Sequence, residues 1–536
     1  MKRLLSIARF PPALGCACAL LVLLGIAFRS AWLATQDLQW PYDFDLFRDA
    51  AFAQAIIHGH FPADAYYADE QNWYNPLGPA LIAGIARLFA LAPIDLYAHY
   101  GAIIGLAVPV AIFGLAVSLF GRWAGLASLF AFLFLGPHEV PSWAAPSYSP
   151  WLFANLLSLL PFALTVAVGL RARESGRYRL WGACGALLGA TFLAHTAAAI
   201  VAGSVLLVLA WERRKARAVA IRWGLILVPA FAVSTPFLVT ILWHYGLLIQ
   251  NSPPQDFVSD ETNLHQLPKM LWGALNVRNA MALGGLAVLF RNRTMKAARL
   301  TLIAWLGVCL VLLFYCYARQ AWPNAHLPGL VPPFHWLFHL RLARTLLLGY
   351  GLYCAVAAIT AVLARSRKLP VPIALLISFG VLLLFQFRSF VHRFDFEQAR
   401  GPSLEYAALP GFSETVAWLR RETPFRTTIL APPHDALILL GAAGRQTVVI
   451  DQIFSNPYVL YGPRLALADN MARSLAFHQS DAFLKMAAEH GVSYVLVTDA
   501  VPEFVDRSLS APFVKLVFTS GHFAILRVLQ QETRPN

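Results

Sequence analysis

Charged residues are scarce in this chain, and that scarcity excludes an ordinary soluble protein. Only 13% of its 536 residues are Asp, Glu, Lys or Arg, whereas 58% are hydrophobic. Soluble domains carry about 25% charged residues. Runs of roughly 20 apolar residues recur along the sequence, and each is long enough to cross a lipid bilayer. We therefore expect an integral membrane protein of the mainly α-helical class.

Cysteines and short catalytic signatures are also lacking. The six cysteines all lie inside apolar runs, and the last of them is Cys354. A disulfide framework or a Cys-x-x-Cys metal site is therefore not expected. The sequence contains no P-loop, no HExxH motif and no GxSxG motif, so none of the common soluble-enzyme signatures identifies its chemistry.

Positive charge is plentiful, and its placement indicates membrane topology rather than nucleic-acid binding. The formal net charge is +14. Basic clusters fall between the apolar runs, where the positive-inside rule places them on the cytoplasmic side. They occupy residues 171–179, 212–222, 291–299 and 364–368. We expect the lipid bilayer, and no nucleic acid, as a partner.

Eleven membrane spans follow from the apolar runs and the positive-inside rule. The predicted spans are residues 12–34, 97–120, 124–137, 150–170, 180–195, 196–211, 223–244, 271–290, 300–318, 344–363 and 371–388. A further apolar stretch, residues 76–93, is predicted to be a juxtamembrane helix, because only then do all the basic clusters face the cytoplasm. The N-terminus is then cytoplasmic and the C-terminus extracytoplasmic. Outer loops are expected at residues 35–96, 136–149, 245–270 and 319–343.

The composition changes after the last span, which predicts a second domain. "TTILA", "QTVVI" and "YVLVT" are typical of short buried strands, and "FSETVAWLRRETP" and "DAFLKMAAEHG" of helices. "VKLVFTSGHFAILRVL" predicts a hairpin that turns at Ser520 and Gly521. We predict a polytopic transmembrane domain at residues 1–394, with its first outer loop at about residues 35–96, and a small extracytoplasmic α/β domain at residues 395–536. That second domain is expected to have a structural or acceptor-binding role.

Acidic residues gather in the first outer loop. Arg48 is the only Lys or Arg among them, and the acids are Asp37, Asp43, Asp45, Asp49, Asp64, Asp69 and Glu70. Asp43 and Asp45 form the D-x-D pair of "YDFD", just before the predicted interfacial amphipathic helix "DLFRDAAFAQAIIHG". Such a pair can share a divalent cation, Mg or Mn, through oxygen, or one member can act as a general base on a hydroxyl. Asp37 and Asp64 are interpreted as solvated charges.

The layout resembles that of the GT-C glycosyltransferases, integral membrane enzymes that use polyprenyl-phosphate-linked sugars. They include protein O-mannosyltransferases, lipid A aminoarabinose transferases, mycobacterial arabinosyltransferases and oligosaccharyltransferases. The likeness lies in "YDFDLFRDAAFAQAIIHGHFP", "YNPLGPALIAGIARLF", "SLFGRWAGLAS", "LGATFLAHTAAAI", "SETVAWLRRETP" and "GVSYVLVTD". It implies that Asp43 or Asp45 is the catalytic acid, with Asp45 favoured because it is expected to precede the helix directly. It also implies a second acidic motif in the next outer loop, where Glu139 is the only carboxylate and thus the candidate second acid or metal ligand; a helix-end charge is the alternative.

A lipid-phosphate donor would need cations, and residues 319–344 contain them. If the end of this loop is helical, His335 and His339 share one face, and Arg341 and Arg344 share another. Arginine can bind a phosphate bidentately, and a charge entering a span is a functional-site candidate; snorkelling of arginine to the interface is the alternative. His195 in "LAHTA" is a further candidate, with a buried hydrogen-bonded histidine as the alternative.

The aromatic residues of the first loop allow two interpretations. They either stack on sugar rings or form part of the interfacial aromatic belt. They are Trp40, Tyr42, Tyr66, Tyr67, Trp73 and Tyr74.

We therefore expect a glycosyltransferase of the bacterial inner membrane, which moves one sugar from a polyprenyl-phosphate donor to an extracytoplasmic glycan, lipid or protein. Its expected site contains Asp43, Asp45 and Glu139, with the arginines and histidines above binding substrate. Two other classes stay open: a non-catalytic lipid-linked-sugar flippase or transporter, and a polysaccharide polymerase or ligase. Acids within the predicted spans are nearly absent, which argues against a transporter.

Overall fold

The chain divides into two compact units. The structure is a computed structural model that describes residues 12–329, 331–363, 370–499 and 502–529. Unit 1 contains Met1–Gln36, Gly101–Ser234 and Val258–Gln398, and unit 2 contains Asp37–Tyr100, Thr235–Phe257 and Ala399–Asn536. The predicted division into residues 1–394 and 395–536 stays a prediction. The basic cluster at residues 364–368 and the basic residues before the first span lie outside the described residues.

Most of the described chain is helical. The helices of ten or more residues are Pro12–Thr35, Phe44–Ile57, Leu77–Phe89, Ala107–Phe120, Arg122–Phe134, Leu159–Ser175, Tyr178–Ala194, Thr196–Ala210, Ala216–Tyr245, Val277–Arg291, Lys296–Ala321, Pro333–Leu363, Val371–Val391, Phe412–Glu422, Tyr461–Ala476 and Ser480–Glu489. Shorter helical segments are Pro93–Asp95, Leu96–Tyr100, Gly101–Ile104, Ala154–Leu157, Pro253–Asp256, Asp260–Thr262, Leu264–Gln266, Leu267–Gly273, Arg293–Met295, Pro323–Ala325, Arg400–Ala408, Pro433–Asp435, Ala436–Leu440, Gly441–Ala443, Gln452–Phe454 and Pro502–Leu509.

Within the described residues, seven helices are long and apolar enough to cross a membrane, which identifies an integral membrane protein. They are Ala13–Thr35, Pro93–Phe120, Ala154–Ser175, Ala216–Tyr245, Arg293–Ala321, Pro333–Val362 and Val371–Val391. An eighth span results if Leu264–Gly273 and Val277–Arg291, bent by 78°, cross together. The other predicted spans fall on shorter helices such as Arg122–Phe134 and Thr196–Ala210. The count of eleven therefore stays a prediction.

In unit 1, the helix Pro333–Leu363, which we call the arginine helix, packs closely through small residues. A Cβ atom on Gly349 would lie 2.2 Å from the Cα of Ser128, and one on Gly351 would lie 2.2 Å from the carbonyl oxygen of Met281. The Ser128 hydroxyl donates to the Leu346 carbonyl at 2.9 Å. Small residues permit this approach of neighbouring backbones in membrane proteins. The prediction of an outer loop reaching residue 343 is wrong, because the helix already begins at Pro333.

Unit 2 contains a five-stranded sheet. Its strands are β1 (Thr428–Leu430), β2 (Gln446–Thr447), β3 (Val492–Thr498), β4 (Val514–Ser520) and β5 (Phe523–Val528), in the order β2-β1-β3-β5-β4. β1 is parallel to β2 and β3, whereas β5 is antiparallel to β3 and β4. β1, β3 and the β4–β5 hairpin agree with the sequence prediction, whereas only Gln446–Thr447 of the predicted strand "QTVVI" is a strand. Side chains from the sheet and the adjacent helices form one apolar core that includes Leu430, Val449, Met471, Phe483, Val495 and Leu526.

Two helices of the first loop also belong to unit 2. We call Phe44–Ile57 the acidic helix; it ends just before Gly59, whose φ of +76° favours glycine. Its residues 46–55 are all buried, so the prediction of an amphipathic helix with a solvent-facing side is wrong, whereas its position at the membrane interface stays a prediction. The Gln54 side-chain amide donates to the Ala442 carbonyl at 2.9 Å. Leu77–Phe89 has 13 residues, as many as Arg122–Phe134, so length does not separate it from the shorter predicted spans and its juxtamembrane position stays a prediction.

Candidate active site

The D-x-D pair lies at the first turn of the acidic helix. Asp43 is the N-cap residue, and its Oδ1 accepts a hydrogen bond from the Asp45 backbone N–H at 2.9 Å. This cap satisfies one of the free N–H groups at the helix start. Asp45 lies inside the first turn, where the helix dipole favours a negative charge. Asp43 therefore precedes the helix directly, and the reason given for preferring Asp45 is wrong.

Arg48 holds the neighbouring carboxylates. Its Nη1 lies 2.5 Å from Asp45 Oδ1, and its Nη2 lies 2.8 Å from Asp49 Oδ1. The guanidinium also lies 3.8 Å from the centre of the Tyr74 ring, a cation–π distance. Arg48 is 5% exposed and Asp49 1%. Arg48, the only Lys or Arg of the acidic segment, therefore contacts two carboxylates and one aromatic ring.

Burial raises the proton affinity of these acids. It raises the pKa of Asp43 to about 7, and the nearby negative charge of Asp45 adds to that effect. It also raises the pKa of Asp49 to about 6, against the opposing effect of Arg48. A carboxyl group whose pKa lies near neutrality is well matched to general-base catalysis. Asp43 thus has the electrostatic properties of a base.

The same contacts limit the oxygen atoms that these carboxylates could offer to a metal. Arg48 already occupies Asp45 Oδ1 and Asp49 Oδ1, and Asp43 Oδ1 caps the helix. In the described part of the chain, no group of three or more His, Cys, Asp and Glu side chains is arranged to hold a metal. These contacts use one oxygen of each carboxylate, so ligation of Mg or Mn by Asp43 and Asp45 stays a prediction beside the general-base role.

Asp37 and Asp64 are not simple solvated charges. Asp37 forms a two-point ion pair with Arg400 at 2.8 and 2.7 Å, which lowers its pKa. Asp64 is only 2% exposed, and its Oδ1 accepts from the backbone N–H groups of Tyr66 and Tyr67 at 2.8 and 3.1 Å. Burial raises the pKa of Asp64 to about 6. The interpretation of Asp64 as a solvated charge is wrong, because it shapes a buried turn.

Several loop aromatics belong to the core of unit 2. Tyr66 and Tyr67 are 2% and 1% exposed; the Tyr66 hydroxyl donates to the Leu437 carbonyl at 3.0 Å, and the Tyr67 hydroxyl lies 2.8 Å from Ser455 Oγ. Trp40 is also buried. For these three side chains, neither sugar stacking nor an interfacial belt applies.

In unit 1, the structure brings together histidines that are distant in sequence. His195 links the helices Tyr178–Ala194 and Thr196–Ala210, and its Nδ1 accepts from the Ala197 N–H at 3.2 Å. The rings of His195 and His335 have centroids 4.4 Å apart. One turn further, His339 is 1% exposed. Within the described residues, the buried Nδ1 atoms of His335 and His339 have no hydrogen-bond partner. We call these three residues the histidine group.

Arg341 and Arg344 lie on the arginine helix, as the helical spacing predicted. Arg341 Nη1 donates to the Ala144 carbonyl and to Glu261 Oε2, both at 2.9 Å. Arg344 Nη1 makes a long contact of 3.4 Å with Asn279 Oδ1. These contacts are partly buried, and snorkelling to the interface stays the alternative.

A third arginine in unit 1 was not predicted from the sequence. Arg278 lies in the helix Val277–Arg291, donates to Gln386 Oε1 at 3.0 Å, and acts electrostatically on Arg344 together with Arg341. We call Arg278, Arg341 and Arg344 the arginine group. The sequence did contain a sign of its importance, because Arg278 is a charged residue inside the predicted span 271–290.

The predicted second acid lies in a loop of unit 1 that follows the helix Arg122–Phe134. Glu139 is exposed, whereas its neighbour His138 is 9% exposed and its Nε2 contacts the Phe134 carbonyl at 3.1 Å. Burial lowers the pKa of His138 to about 4. Asp395 braces this loop, since its Oδ1 accepts from the Ser142 N–H at 3.1 Å. Glu139 is thus a solvent-facing carboxylate on a braced loop.

Sequence comparison alone does not identify this chain, whereas its fold has many counterparts. No protein-family model and no curated protein sequence matches it. Comparison of the fold with solved structures gives 28 matching chains. ArnT from Cupriavidus metallidurans, bound to undecaprenyl phosphate, is 14% identical, with a TM-score of 0.58 over 97% of this chain and 99% of that one.

Two further counterparts have the same architecture. The mycobacterial arabinofuranosyltransferase AftD is 18% identical, with a TM-score of 0.58 over 96% of this chain and 40% of its own. The oligosaccharyltransferase AglB from Archaeoglobus fulgidus, in complex with an inhibitory peptide and a dolichol-phosphate, is 12% identical, with a TM-score of 0.55 over 97% of this chain and 75% of its own. These counterparts are GT-C glycosyltransferases, so the chain has the GT-C fold. At such identities the likeness establishes the fold, and activity has to be argued from the site.

Proposed function

We propose that this protein is a membrane glycosyltransferase, which transfers one sugar from a polyprenyl-phosphate-linked donor to a glycan, lipid or protein outside the cytoplasm. The observation that carries the proposal is the partly buried D-x-D pair on the GT-C fold, with the pKa of Asp43 raised to about 7. Two structural counterparts support the donor class, because ArnT binds undecaprenyl phosphate and AglB a dolichol-phosphate.

The acceptor is activated by the aspartate pair in this proposal. Asp43 takes the proton of an acceptor hydroxyl, and the oxygen attacks the anomeric carbon of the sugar. The bond from that carbon to the phosphate oxygen breaks, and its electron pair leaves with the polyprenyl phosphate. Asp45, held by Arg48 at 2.5 Å, keeps the proton affinity of Asp43 high through its negative charge. Glu139 is proposed as a second acid acting on the acceptor.

The donor phosphate is assigned to the arginine group. A guanidinium fork binds phosphate oxygens through two parallel hydrogen bonds. Arg341 and Arg344 carry this role, and Arg278 adds a third positive charge. The only carboxylate that contacts Arg341 in the described structure is Glu261, at 2.9 Å, which a phosphate can replace. The histidine group offers ring nitrogens for further hydrogen bonds to the donor.

The placement in the membrane belongs to the same proposal. We assign the protein to the bacterial inner membrane with eleven spans, a cytoplasmic N-terminus, and residues 395–536 as an extracytoplasmic domain. The basic clusters between the helices support this orientation. The lipid then carries the activated sugar, and no nucleotide has to reach the outer side.

The decisive experiment replaces both aspartates. Asp43→Asn/Asp45→Asn should abolish transfer from a synthetic polyprenyl-phosphate sugar, because loss of a general base costs about 10²–10⁴-fold in rate. The variant keeps the shape of the side chains but removes one counter-charge of buried Arg48, which should lower its stability. Thermal unfolding is therefore measured in parallel, and Asp43→Asn alone, which leaves that ion pair intact, is tested beside it. Asp481→Asn, at an exposed position in the helix Ser480–Glu489, is the matched control. Full activity of the double variant would contradict the proposal and favour a lipid-linked-sugar flippase.

A further inference from the structure

A cleft in unit 2 has no role in the reaction proposed above. Its volume is about 680 Å³, within the range of roughly 300–1,000 Å³ that is typical of small-molecule sites. We call it the acid–tyrosine cleft, after Asp69, Glu70, Tyr245 and Tyr458, which line it together with Arg464. These residues come from the first loop, from the end of the helix Ala216–Tyr245 and from the C-terminal segment.

One wall of the cleft is rigid and carries both signs of charge. Glu70 Oε1 lies 2.7 Å from Arg464 Nη2, and Glu70 Oε2 lies 3.1 Å from the Tyr245 hydroxyl. The Arg464 guanidinium in turn lies 4.2 Å from the centre of the buried Tyr67 ring. Since these contacts fix both side chains, little conformational entropy is lost when a ligand binds to them.

The aromatic part of the cleft is held equally firmly. The rings of Tyr245 and Tyr458 stack with centroids 5.0 Å apart and an interplanar angle of 14°. The Tyr245 hydroxyl accepts from the Gln71 N–H at 2.8 Å, and Asn456 Oδ1 accepts from the Tyr458 N–H at 2.9 Å. Tyr458 is only half-buried. An aromatic surface is therefore presented beside the charged wall.

The hydrogen-bonding groups of the cleft select the chemical class of the ligand. Carboxylates only accept and guanidinium groups only donate, whereas each hydroxyl both donates and accepts. A ligand rich in hydroxyl groups can satisfy both kinds of group at once. An anionic ligand would be repelled by the carboxylates of Asp69 and Glu70, and the charge of Arg464 is already balanced by Glu70. An apolar ligand would bury these charges without compensation.

We propose that the acid–tyrosine cleft binds a neutral oligosaccharide segment of the acceptor. The sugar hydroxyl groups meet Asp69, Glu70 and Arg464, and the aliphatic face of a sugar ring lies against Tyr458. Calling this ligand the acceptor rests on the transferase function proposed above. The binding of the oligosaccharide itself rests only on the cleft.

The test measures binding separately from transfer. The full-length protein in nanodiscs is titrated with neutral hexasaccharides of glucose, mannose, galactose and arabinose, with a hexagalacturonate as the anionic probe and an uncharged hexapeptide as the peptide probe. Tyr458→Ala removes the aromatic surface. Asp69→Arg fills the cleft from an exposed position and keeps the test valid if Tyr458→Ala does not fold. Phe477→Ala, at an aromatic residue that is 62% exposed outside the cleft, is the matched control.

At least one neutral hexasaccharide should bind, and each cleft variant should raise its Kd about tenfold or more, the size of effect expected for a lost aromatic contact. Phe477→Ala should bind it as the unmodified protein does. The inference is overturned if no neutral hexasaccharide binds, if both cleft variants leave binding unchanged, or if the peptide or the hexagalacturonate binds in preference. Binding that depends on Tyr458 without any transfer activity would keep this inference and reject the transferase function.

Discussion

At the residue scale, Arg48 gives the two aspartates before it different properties. It pairs with Asp45 at 2.5 Å and with the buried Asp49 at 2.8 Å, and is only a minor influence on Asp43. Asp45 therefore keeps a counter-charge, whereas the proton affinity of Asp43 is raised by burial and by Asp45 itself. The sequence could not distinguish the roles of Asp43 and Asp45, because spacing does not show which of the two carboxylates Arg48 contacts.

This difference predicts how each aspartate affects the pH dependence of transfer. A base must be deprotonated, so kcat/KM should rise with pH through an apparent pKa of about 7 and then level off. Asp45→Asn removes a negative charge next to Asp43. Without that charge the ionised form of Asp43 is more stable, so the rise should move to lower pH. Asp43→Asn should remove the rise altogether. The measurement is kcat/KM of both variants between pH 5 and 9. If kcat/KM still rises with pH in Asp43→Asn but not in Asp45→Asn, then Asp45 is the base and Asp43 its neighbour.

If the arginine group binds the donor phosphate, both the charge and the planar shape of Arg341 should contribute to the affinity. Arg341→Ala should weaken binding of a synthetic polyprenyl phosphate about tenfold or more, since a hydrogen bond to a charged group is lost. Arg341→Lys should restore only part of the affinity, because lysine lacks the planar fork. Arg388→Ala, at an exposed arginine in the last turn of Val371–Val391, is the matched control. Unchanged affinity in Arg341→Ala and Arg344→Ala alike would make both residues interfacial anchors.

At the element scale, the arginine helix depends on two places where neighbouring backbones nearly touch. A Cβ atom on Gly349 would meet the backbone of Ser128 at 2.2 Å, and backbone atoms cannot move aside as a side chain can. Arg344 and Arg341 lie one and two turns before Gly349 on the same helix. Their position in unit 1 is therefore set by how closely this helix approaches Arg122–Phe134.

Gly349→Ala tests this dependence. The added methyl group should force the two helices apart, with a cost of about 1–3 kcal/mol from overpacking, and it should weaken polyprenyl-phosphate binding as well. Gly307→Ala is the matched control, because its Cβ would meet nothing within 4 Å and alanine favours a helix. Thermal unfolding and donor binding are measured on both variants. If Gly349→Ala matches Gly307→Ala in both, the close packing does not position the arginines.

Elements with a strong local signal could be predicted from the sequence. The β4–β5 hairpin was predicted from a turn at Gly521, whose φ is +51°, and the strand β3 from its apolar run. The start of the arginine helix was missed, since "VPPFHW" is rich in proline, yet Pro333 at the first helical position favours a helix start. The helix Tyr461–Ala476 was also missed, because Asp469 and Asn470 weaken its periodic pattern.

The candidate site was less predictable, because its contacts join distant residues. His195 and His335 were separate candidates, and only the fold shows that their rings lie 4.4 Å apart. The burial of the acidic helix depends on contacts such as Gln54 with Ala442. A helical pattern in the sequence predicts local secondary structure, but it does not show which distant residue packs against the helix. For the same reason Glu261 was not recognised as the partner of Arg341.

At the scale of the whole molecule, charge asymmetry is the argument for orientation. The basic clusters lie between apolar helices, whereas the acids gather in the first loop and the C-terminal segment. The positive-inside rule counts Lys and Arg in short loops, so it assigns residue 213 to the cytoplasm. An odd number of predicted spans then separates residue 213 from the C-terminal segment, which places that segment outside.

Cysteine labelling of intact cells tests this topology. The exposed Cys18 and the half-buried Cys354 are first replaced by serine, and single cysteines are introduced as Arg213→Cys and Lys485→Cys, both at exposed positions. A membrane-impermeant maleimide should label position 485 in intact cells, and position 213 only after permeabilisation. Labelling of position 213 from outside, or of both positions alike, would contradict the orientation and with it the extracytoplasmic acceptor.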